Sequence, residues 1–187
     1  MRILKLQMQT SIDGFIAGPN GEMDWLEHHW TDDIKKVVHS ITQNVDTIVL
    51  GRKLAEGFIP HWTAELEDID PEEGAEIFVN TPKVVFTKTI KNSSWENTTL
   101  AKGPLREEIM ELKHREGKDM IVYGGCEFVS ALIKDRLIDE LFLFVNPMAL
   151  GKGLSIFSNL EIYQHYHIAH VQKFDCGIVL LNYQLKH

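Results

Sequence analysis

Short apolar runs separated by helical patterns constrain the fold of this chain more than any other feature of its sequence. Strand-like runs occur at residues 46–50, 83–87 and 120–123, and amphipathic helical patterns occur at residues 31–43 and 104–115. Parallel strands need a long crossover connection, usually a helix, which then covers a face of the sheet. The alternation therefore predicts an α/β fold with a mostly parallel central sheet flanked by helices.

Both ends of the chain extend this predicted sheet. Residues 2–9 alternate as a strand does, and residues 139–145 form another apolar run. Two strand patterns at 163–174 and 178–185 flank Asp-Cys-Gly, which is typical of a hairpin. We therefore expect a C-terminal antiparallel hairpin at one edge of the sheet.

The remaining segments give weaker signals. Residues 95–100 read as a short strand and residues 127–134 as a helix. No clear element is predicted for most of 54–80, where the acidic stretch 66–75 reads as a solvated loop and 74–80 as a short helix or strand.

Size and charge narrow the class of protein. The 187 residues predict a single domain over 1–187, and the net charge of −8 argues against a nucleic-acid partner. No window approaches the roughly 18 apolar residues of a membrane span, and the N-terminal stretch lacks the apolar core of a signal peptide. Two cysteines do not form a disulfide framework. We expect a cytoplasmic protein that does not associate with membranes.

Two glycines, Gly124 and Gly125, stand where a strand ends and a helical pattern begins. In open α/β sheets ligands bind at such strand ends, and a helix N-terminus suits a phosphate group. A tight turn without a ligand is the alternative.

Two further strand ends carry groups that suit an anion. Gly51, Arg52 and Lys53 follow one predicted strand, and Thr87 and Lys88 follow the next. Arg offers a bidentate contact to phosphate. Each stretch alone is also compatible with a solvated turn, but the coincidence at three consecutive strand ends favours a phosphorylated ligand.

Acids lie near the start of the first helical pattern. Asp32 and Asp33 are candidate catalytic groups, because an acid there can bind or protonate a nitrogen heterocycle. The alternative is that they only complement the helix dipole. The nine histidines lack a nearby acid or cysteine that would complete a metal site, so no metal is predicted.

Five segments, taken together in this order, resemble the dihydrofolate reductase-like superfamily over essentially the whole chain. They are SIDGFIAGPNG (11–21), TIVLGRKL (47–54), VVFT (84–87), MIVYGGCEFVSALIKDRLIDEL (120–141) and NPMALGKGLSIF (146–157). The nearer similarity is to the reductase domain of bifunctional riboflavin-biosynthesis enzymes and to stand-alone proteins built on it.

The resemblance implies an NADPH-dependent reductase that acts on a flat heterocyclic small molecule, and it implies a homodimer. In this superfamily the Gly-Gly bond is typically cis. A nucleotide-binding protein without turnover is the alternative function. The implied coenzyme site comprises four groups of residues: Asp13, Gly14, Ile16 and Ala17; Gly51, Arg52 and Lys53; Thr87 and Lys88; and Gly124, Gly125, Cys126 and Glu127.

Overall fold

The computed structural model describes residues 1–26, 29–68 and 74–186, which form one eight-stranded sheet with helices on both faces. The elements in chain order are β1 (Leu4–Thr10), α1 (Asp32–Thr42), β2 (Val45–Gly51), α2 (Arg52–Leu66), α3 (Ala75–Asn80), β3 (Lys83–Phe86), β4 (Thr98–Ala101), α4 (Leu105–His114), β5 (Asp119–Val122), α5 (Cys126–Lys134), β6 (Glu140–Val145), β7 (Tyr166–Lys173) and β8 (Val179–Leu185).

The sheet confirms the predicted α/β architecture. Its strand order is β4-β3-β2-β5-β1-β6-β8-β7. All neighbours from β4 to β6 are parallel, whereas β8 is antiparallel to both β6 and β7. The predicted C-terminal hairpin therefore forms one edge of an otherwise parallel sheet.

Two apolar layers hold helices against the sheet, one on each face. On one face, Ile109 of α4 and Leu132 of α5 pack with alternate residues of β1 and β5. On the other face, Ile34 of α1 and Ile59 of α2 pack with the intervening strand residues and with Phe144. Burial on both faces explains why the central strands read as nearly continuous apolar runs.

Charged pairs hold together the edge of the sheet where the parallel strands begin. Arg2 pairs with Asp46, and Lys5 Nζ lies 2.9 Å from Asp119 Oδ2. Lys113 is only 3% exposed and lies 2.6 Å from Asp139. These contacts connect the amino ends of the parallel strands with one another and with α4. The predicted ligand groups lie at the opposite, carboxyl ends.

The sequence analysis predicted no clear element for residues 54–66. This prediction was wrong, because α2 extends through that segment. Gly57 and Pro60 interrupt the helical pattern in the sequence. Both are exposed, whereas Ala55 and Ile59 are buried against the sheet. Tertiary packing therefore outweighs the low helix propensity of the two residues.

The neighbouring predictions had mixed outcomes. Of the two structures considered for residues 74–80, the helix is confirmed as α3, and the strand expected at 95–100 begins later, at Thr98. Half of the predicted acidic loop, residues 69–73, lies outside the described residues, and its two ends belong to α2 and α3. Within the described ranges, no helix combines the length and hydrophobicity needed to cross a bilayer.

A pair of Gly→Ala substitutions tests this packing. A Cβ at Gly57 would meet nothing within 4 Å, whereas a Cβ at Gly153 would lie 2.2 Å from the backbone oxygen of Ala17. We expect Gly57→Ala to raise the free energy of unfolding by about 0.5–1 kcal/mol, because alanine loses less backbone entropy in a helix. We expect Gly153→Ala to lower it by about 1–3 kcal/mol. Urea unfolding measures both, and equal effects of the two substitutions would contradict the packing described.

Candidate functional site

The ladder between β1 and β5 stops halfway along β1. Leu4–Leu6 pair with Met120–Val122, and there the parallel pairing of these two strands ends. Strand β1 continues to Thr10, paired on its other side with β6. The sheet therefore divides at its carboxyl edge, opposite Tyr123 and the two glycines that follow it. Ligands in open α/β sheets bind in crevices of this kind.

Two helices begin beside this division, and neither has a side-chain cap. Helix α2 follows Gly51 and helix α5 follows Gly125, so both N-cap residues lack a side chain that can accept a hydrogen bond. The ion pair between Lys53 and Glu127, at 3.0 Å, joins the first turns of the two helices. First-turn N–H groups and the positive ends of both helix dipoles are thus available to one anion.

The glycines of this edge serve different purposes. A Cβ on Gly51 would lie 2.8 Å from Phe128 Cβ, so glycine there lets β2 approach α5 closely. A Cβ on Gly125 would meet nothing within 4 Å, so its backbone faces open space. The peptide bond between Gly124 and Gly125 is cis. An approaching ligand can therefore reach the backbone at Gly125.

Cations and hydroxyls at the ends of β2 and β3 flank the same edge. Arg52 lies in the first turn of α2, where its Nη1 contacts Glu56 at 2.8 Å. Lys88 is exposed beyond β3. Thr87 is buried, and its Oγ1 accepts hydrogen bonds from Thr89 N at 3.1 Å and Ile90 N at 3.0 Å. Thr87 thus shapes the turn that presents Lys88.

Asp13 holds two loops together. Its carboxylate accepts hydrogen bonds from Leu150 N at 3.1 Å, Gly151 N at 2.6 Å and the Ser11 hydroxyl at 2.6 Å. The Ser11 hydroxyl, followed by these N–H groups, lowers the pKa of Asp13 to about 2. The carboxylate therefore stays ionised at neutral pH, and its visible task is to fix the loop around residues 148–154.

The rest of the 13–17 segment is positioned by the same pairing. Ala17 forms a bridge with Leu154, and Ile16 N donates to Leu154 O at 2.8 Å. Both Ile16 and Ala17 are buried, whereas Gly14 is half-buried with a φ of +82°. The segment is thus a firmly anchored border of the crevice.

Cys126 and Glu127 begin α5 and contact neighbouring segments. The thiol of Cys126 donates to Ser155 O at 3.3 Å, and burial and the nearby Glu127 raise its pKa. Glu127 is exposed and pairs with Lys53. The backbone of these two residues, rather than their side chains, is available to a ligand at the helix N-terminus.

The candidate catalytic acids lie at the start of α1. Asp32 is exposed, and Asp33 is half-buried. Asp33 accepts hydrogen bonds from the Thr31 hydroxyl, from Ile34 N at 2.9 Å and from Asp175 N at 3.0 Å. The Thr31 hydroxyl is the main cause that lowers the pKa of Asp33. Asp33 therefore ties α1 to the β7–β8 turn as an ionised carboxylate.

Three residues that the sequence analysis did not predict, Tyr123, Phe58 and Phe78, form an aromatic wall between β5 and helices α2 and α3. The ring of Tyr123 stacks on Phe58 with centroids 5.8 Å apart, and Phe78 meets it edge-on at 5.3 Å. Trp62 continues the wall at 4.2 Å from Phe78. Burial raises the pKa of the Tyr123 hydroxyl, which stays protonated. Phe58 and Trp62 stand four residues apart in α2, and this helical spacing was the available signal.

Other surface features lie away from this edge. A shallow depression of about 540 Å³ borders Arg2, Asn44 and residues 114–119 at the amino edge of the sheet. Another, of about 340 Å³, lies between α5 and residues 158–161. Neither includes a predicted site residue. Among the described side chains, no group of three His, Cys, Asp or Glu residues is placed to hold a metal ion.

The geometry defines a class of site, one that suits a phosphorylated dinucleotide. Two uncapped helix N-termini, an open glycine backbone and flanking cations meet at a division in a parallel sheet. The chain belongs to the RibD C-terminal domain family, whose profile matches residues 2–180.

A relative from Bacillus subtilis matches nearly the whole chain. The chain is 30% identical over 190 residues to the uncharacterised protein YyaP of Bacillus subtilis, covering 97% of this chain and 94% of YyaP.

Solved structures confirm the dihydrofolate reductase-like fold. The deaminase/5-amino-6-(5-phosphoribosylamino)uracil reductase of Thermotoga maritima has a TM-score of 0.71 and 20% identity, covering 99% of this chain and 57% of that chain. Dihydrofolate reductase from Enterococcus faecalis, complexed with NADP(H), has a TM-score of 0.60 and 17% identity, covering 99% and 97%.

The position of Arg52 leads to a test of coenzyme preference. The resemblance implies that Arg52 contacts the extra phosphate of NADPH. We therefore expect Arg52→Ala to weaken binding of NADPH about tenfold and to leave binding of NADH nearly unchanged. Arg115→Ala is the matched control, since Arg115 also pairs with a glutamate four residues away but lies at the amino edge. Fluorescence titration measures both coenzymes, and equal weakening of the two would contradict the assignment.

The open backbone at Gly125 leads to a second test. We expect Gly125→Val to fold normally and to weaken NADPH binding at least about a hundredfold, because a side chain would occupy the space that the pyrophosphate needs. Gly57→Val is the control, since a side chain at that exposed position also meets open space. Thermal-shift titration with NADPH separates folding from binding, and retained affinity in Gly125→Val counts against the site.

Proposed function

We propose that this protein is an NADPH-dependent reductase that transfers a hydride to a flat pteridine- or pyrimidine-type heterocycle or to its ribosyl group. One observation carries the proposal: the uncapped N-termini of α2 and α5 meet beside the division between β1 and β5. The membership of the RibD C-terminal domain family supports it.

The residues at this edge fit the proposed coenzyme. First-turn N–H groups of α2 and α5 bind the pyrophosphate, Arg52 binds the 2′-phosphate, and the anchored segment 13–17 borders the nicotinamide. When bound, NADPH supplies the hydride from its nicotinamide ring. The protein contributes mainly placement, because holding donor and acceptor carbons close together lowers the barrier by several kcal/mol.

In this proposal the heterocycle lies beside the division, against the aromatic wall. Tyr123 and Phe58 stack there with ring centroids 5.8 Å apart, and a flat ring packs well against aromatic side chains. The Thermotoga maritima relative acts, by its name, on a phosphoribosylamino-uracil, so a pyrimidine with a sugar substituent is the first substrate to test.

The proton for the reduction comes, in this proposal, from Asp32 or from water. Asp33 is the less suitable donor, because its three hydrogen-bond donors keep it ionised at neutral pH. Its negative charge at the start of α1 can instead orient a substrate N–H group. The catalytic roles of Asp32 and Asp33 are thus part of the proposal.

Coenzyme oxidation tests the reductase directly. Absorbance of NADPH is followed with 5-amino-6-(5-phosphoribosylamino)uracil, its dephosphorylated form and dihydrofolate as acceptors. We expect oxidation with at least one acceptor and none with Gly125→Val. Binding of NADPH without oxidation across these acceptors would contradict the reductase.

The fixed contacts of Asp33 favour one rival, a nucleotide-binding protein that does not turn over. Binding without oxidation is the result that this rival predicts. The homodimer and the cytoplasmic location inferred from resemblance and composition stay predictions.

A further inference from the structure

Gln7 has a buried polar atom that the protein leaves unsatisfied. The residue lies in β1 and is 9% exposed. Its Oε1 is buried and has no hydrogen-bond partner within residues 1–26, 29–68 and 74–186. Buried polar atoms are almost always hydrogen-bonded, so an unpaired one needs an explanation, and a ligand that supplies the partner is one.

The neighbours of Gln7 in β1 show which face of the sheet its side chain occupies. Leu6 and Met8 belong to the layer under α4 and α5, so Gln7 faces the opposite side of the sheet. Lys5, two residues earlier on that side, donates to Ile41 O of α1 at 3.3 Å. Gln7 is therefore on the α1–α2 face.

The end of the ladder leaves Gln7 without a paired residue in β5. Pairing between β1 and β5 ends at Leu6 and Val122. The next residue of the β5 segment, Tyr123, belongs to the same apolar layer as α1 and α2 and is part of the aromatic wall. Gln7 and Tyr123 thus lie on opposite sides of the division, at its inner end.

Other buried polar side chains differ from Gln7 either in their hydrogen bonding or in their position. Gln9, the next residue on the same face, is paired, because Asn146 Nδ2 donates to its Oε1 at 2.8 Å. The other unpaired buried side-chain oxygen in the described chain, Ser130 Oγ, lies in α5, which covers the opposite face. Among the side chains of residues 1–26, 29–68 and 74–186, the Gln7 oxygen alone therefore combines an unmet hydrogen bond with a place at the division.

We propose that Gln7 is a specificity-determining residue for the substrate and that it recognises a lactam edge, a ring N–H next to a carbonyl. Oε1 accepts the hydrogen bond of the ring N–H, and Nε2 donates to the adjacent carbonyl oxygen. This assignment rests on the proposed function, because it places the heterocycle beside the division, on the α1–α2 face of the sheet. A ring that lacks the N–H leaves Oε1 unpaired and binds more weakly.

Calorimetry with two probes tests the assignment at saturating NADP⁺. The probes are 5,6-diaminouracil and 5,6-diamino-1,3-dimethyluracil, which differ only in whether methyl groups replace the ring N–H hydrogens. We expect the wild-type protein to bind the unmethylated probe about tenfold more tightly. Gln7→Met keeps the length of the side chain without the amide, and we expect it to bind both probes equally.

Two controls separate recognition from stability. Ser130→Ala also removes an unpaired buried oxygen but lies on the opposite face, so it should keep the wild-type preference. NADPH affinity and thermal midpoint of Gln7→Met should match the wild type. If Gln7→Met fails to fold, Gln7→Leu replaces it, and its ratio of the two probe affinities is compared with that of the wild type.

Three results would overturn the assignment: equal binding of the two probes by the wild-type protein, no binding of either, or an unchanged preference in Gln7→Met. These results are independent of turnover. A wild-type preference for the unmethylated probe that Gln7→Met abolishes supports Gln7 even if no acceptor is reduced. The opposite outcome is also possible to recognise: an acceptor is reduced, but Gln7→Met binds the two probes in the wild-type ratio. That outcome supports the reductase and contradicts the role of Gln7 in substrate recognition.

Discussion

The ladder between β1 and β5 is three residues long, and the carboxyl edge of the sheet is arranged around the point where it ends. Here β1 continues with β6 alone, and the chain after β5 turns through Gly124 and Gly125 into α5. The division leaves backbone groups accessible, and the helices that begin beside it supply unpaired N–H groups without competing caps.

The two edges of the sheet have opposite electrostatic arrangements. At the amino edge, Lys113 and Asp139 form a largely buried pair, and Lys5 contacts Asp119. Such pairs are satisfied within the protein and leave little for a ligand. At the carboxyl edge, the charged pair between Lys53 and Glu127 is exposed, so it contributes little to stability and can rearrange around an anion. The charged pairs of the amino edge thus hold the strands together, whereas the charged groups of the carboxyl edge are available to a ligand.

The sequence predicted the sheet and most of the coenzyme edge because local signals were strong there. Gly124 and Gly125 end an apolar strand and open a helix, a pattern with few physical explanations. Helix α2 was missed because Gly57 and Pro60 hide a helix that tertiary packing stabilises. Gln7 was also missed: within KLQMQT it is one of several polar residues, and only the packing shows that its oxygen is unpaired. Asp13 was predicted at the coenzyme, but its bonds to Leu150 and Gly151 became visible only when two segments far apart in sequence met.

The central claim is that two uncapped helix N-termini at a division of the sheet bind one phosphorylated dinucleotide. Isothermal titration of the wild-type protein with NADPH tests it most directly, because heat and stoichiometry report binding without any assumption about substrate. The account predicts one coenzyme per chain with a dissociation constant in the micromolar range or below, which corresponds to about −8 kcal/mol or better. A titration that stays flat up to millimolar NADPH would contradict it.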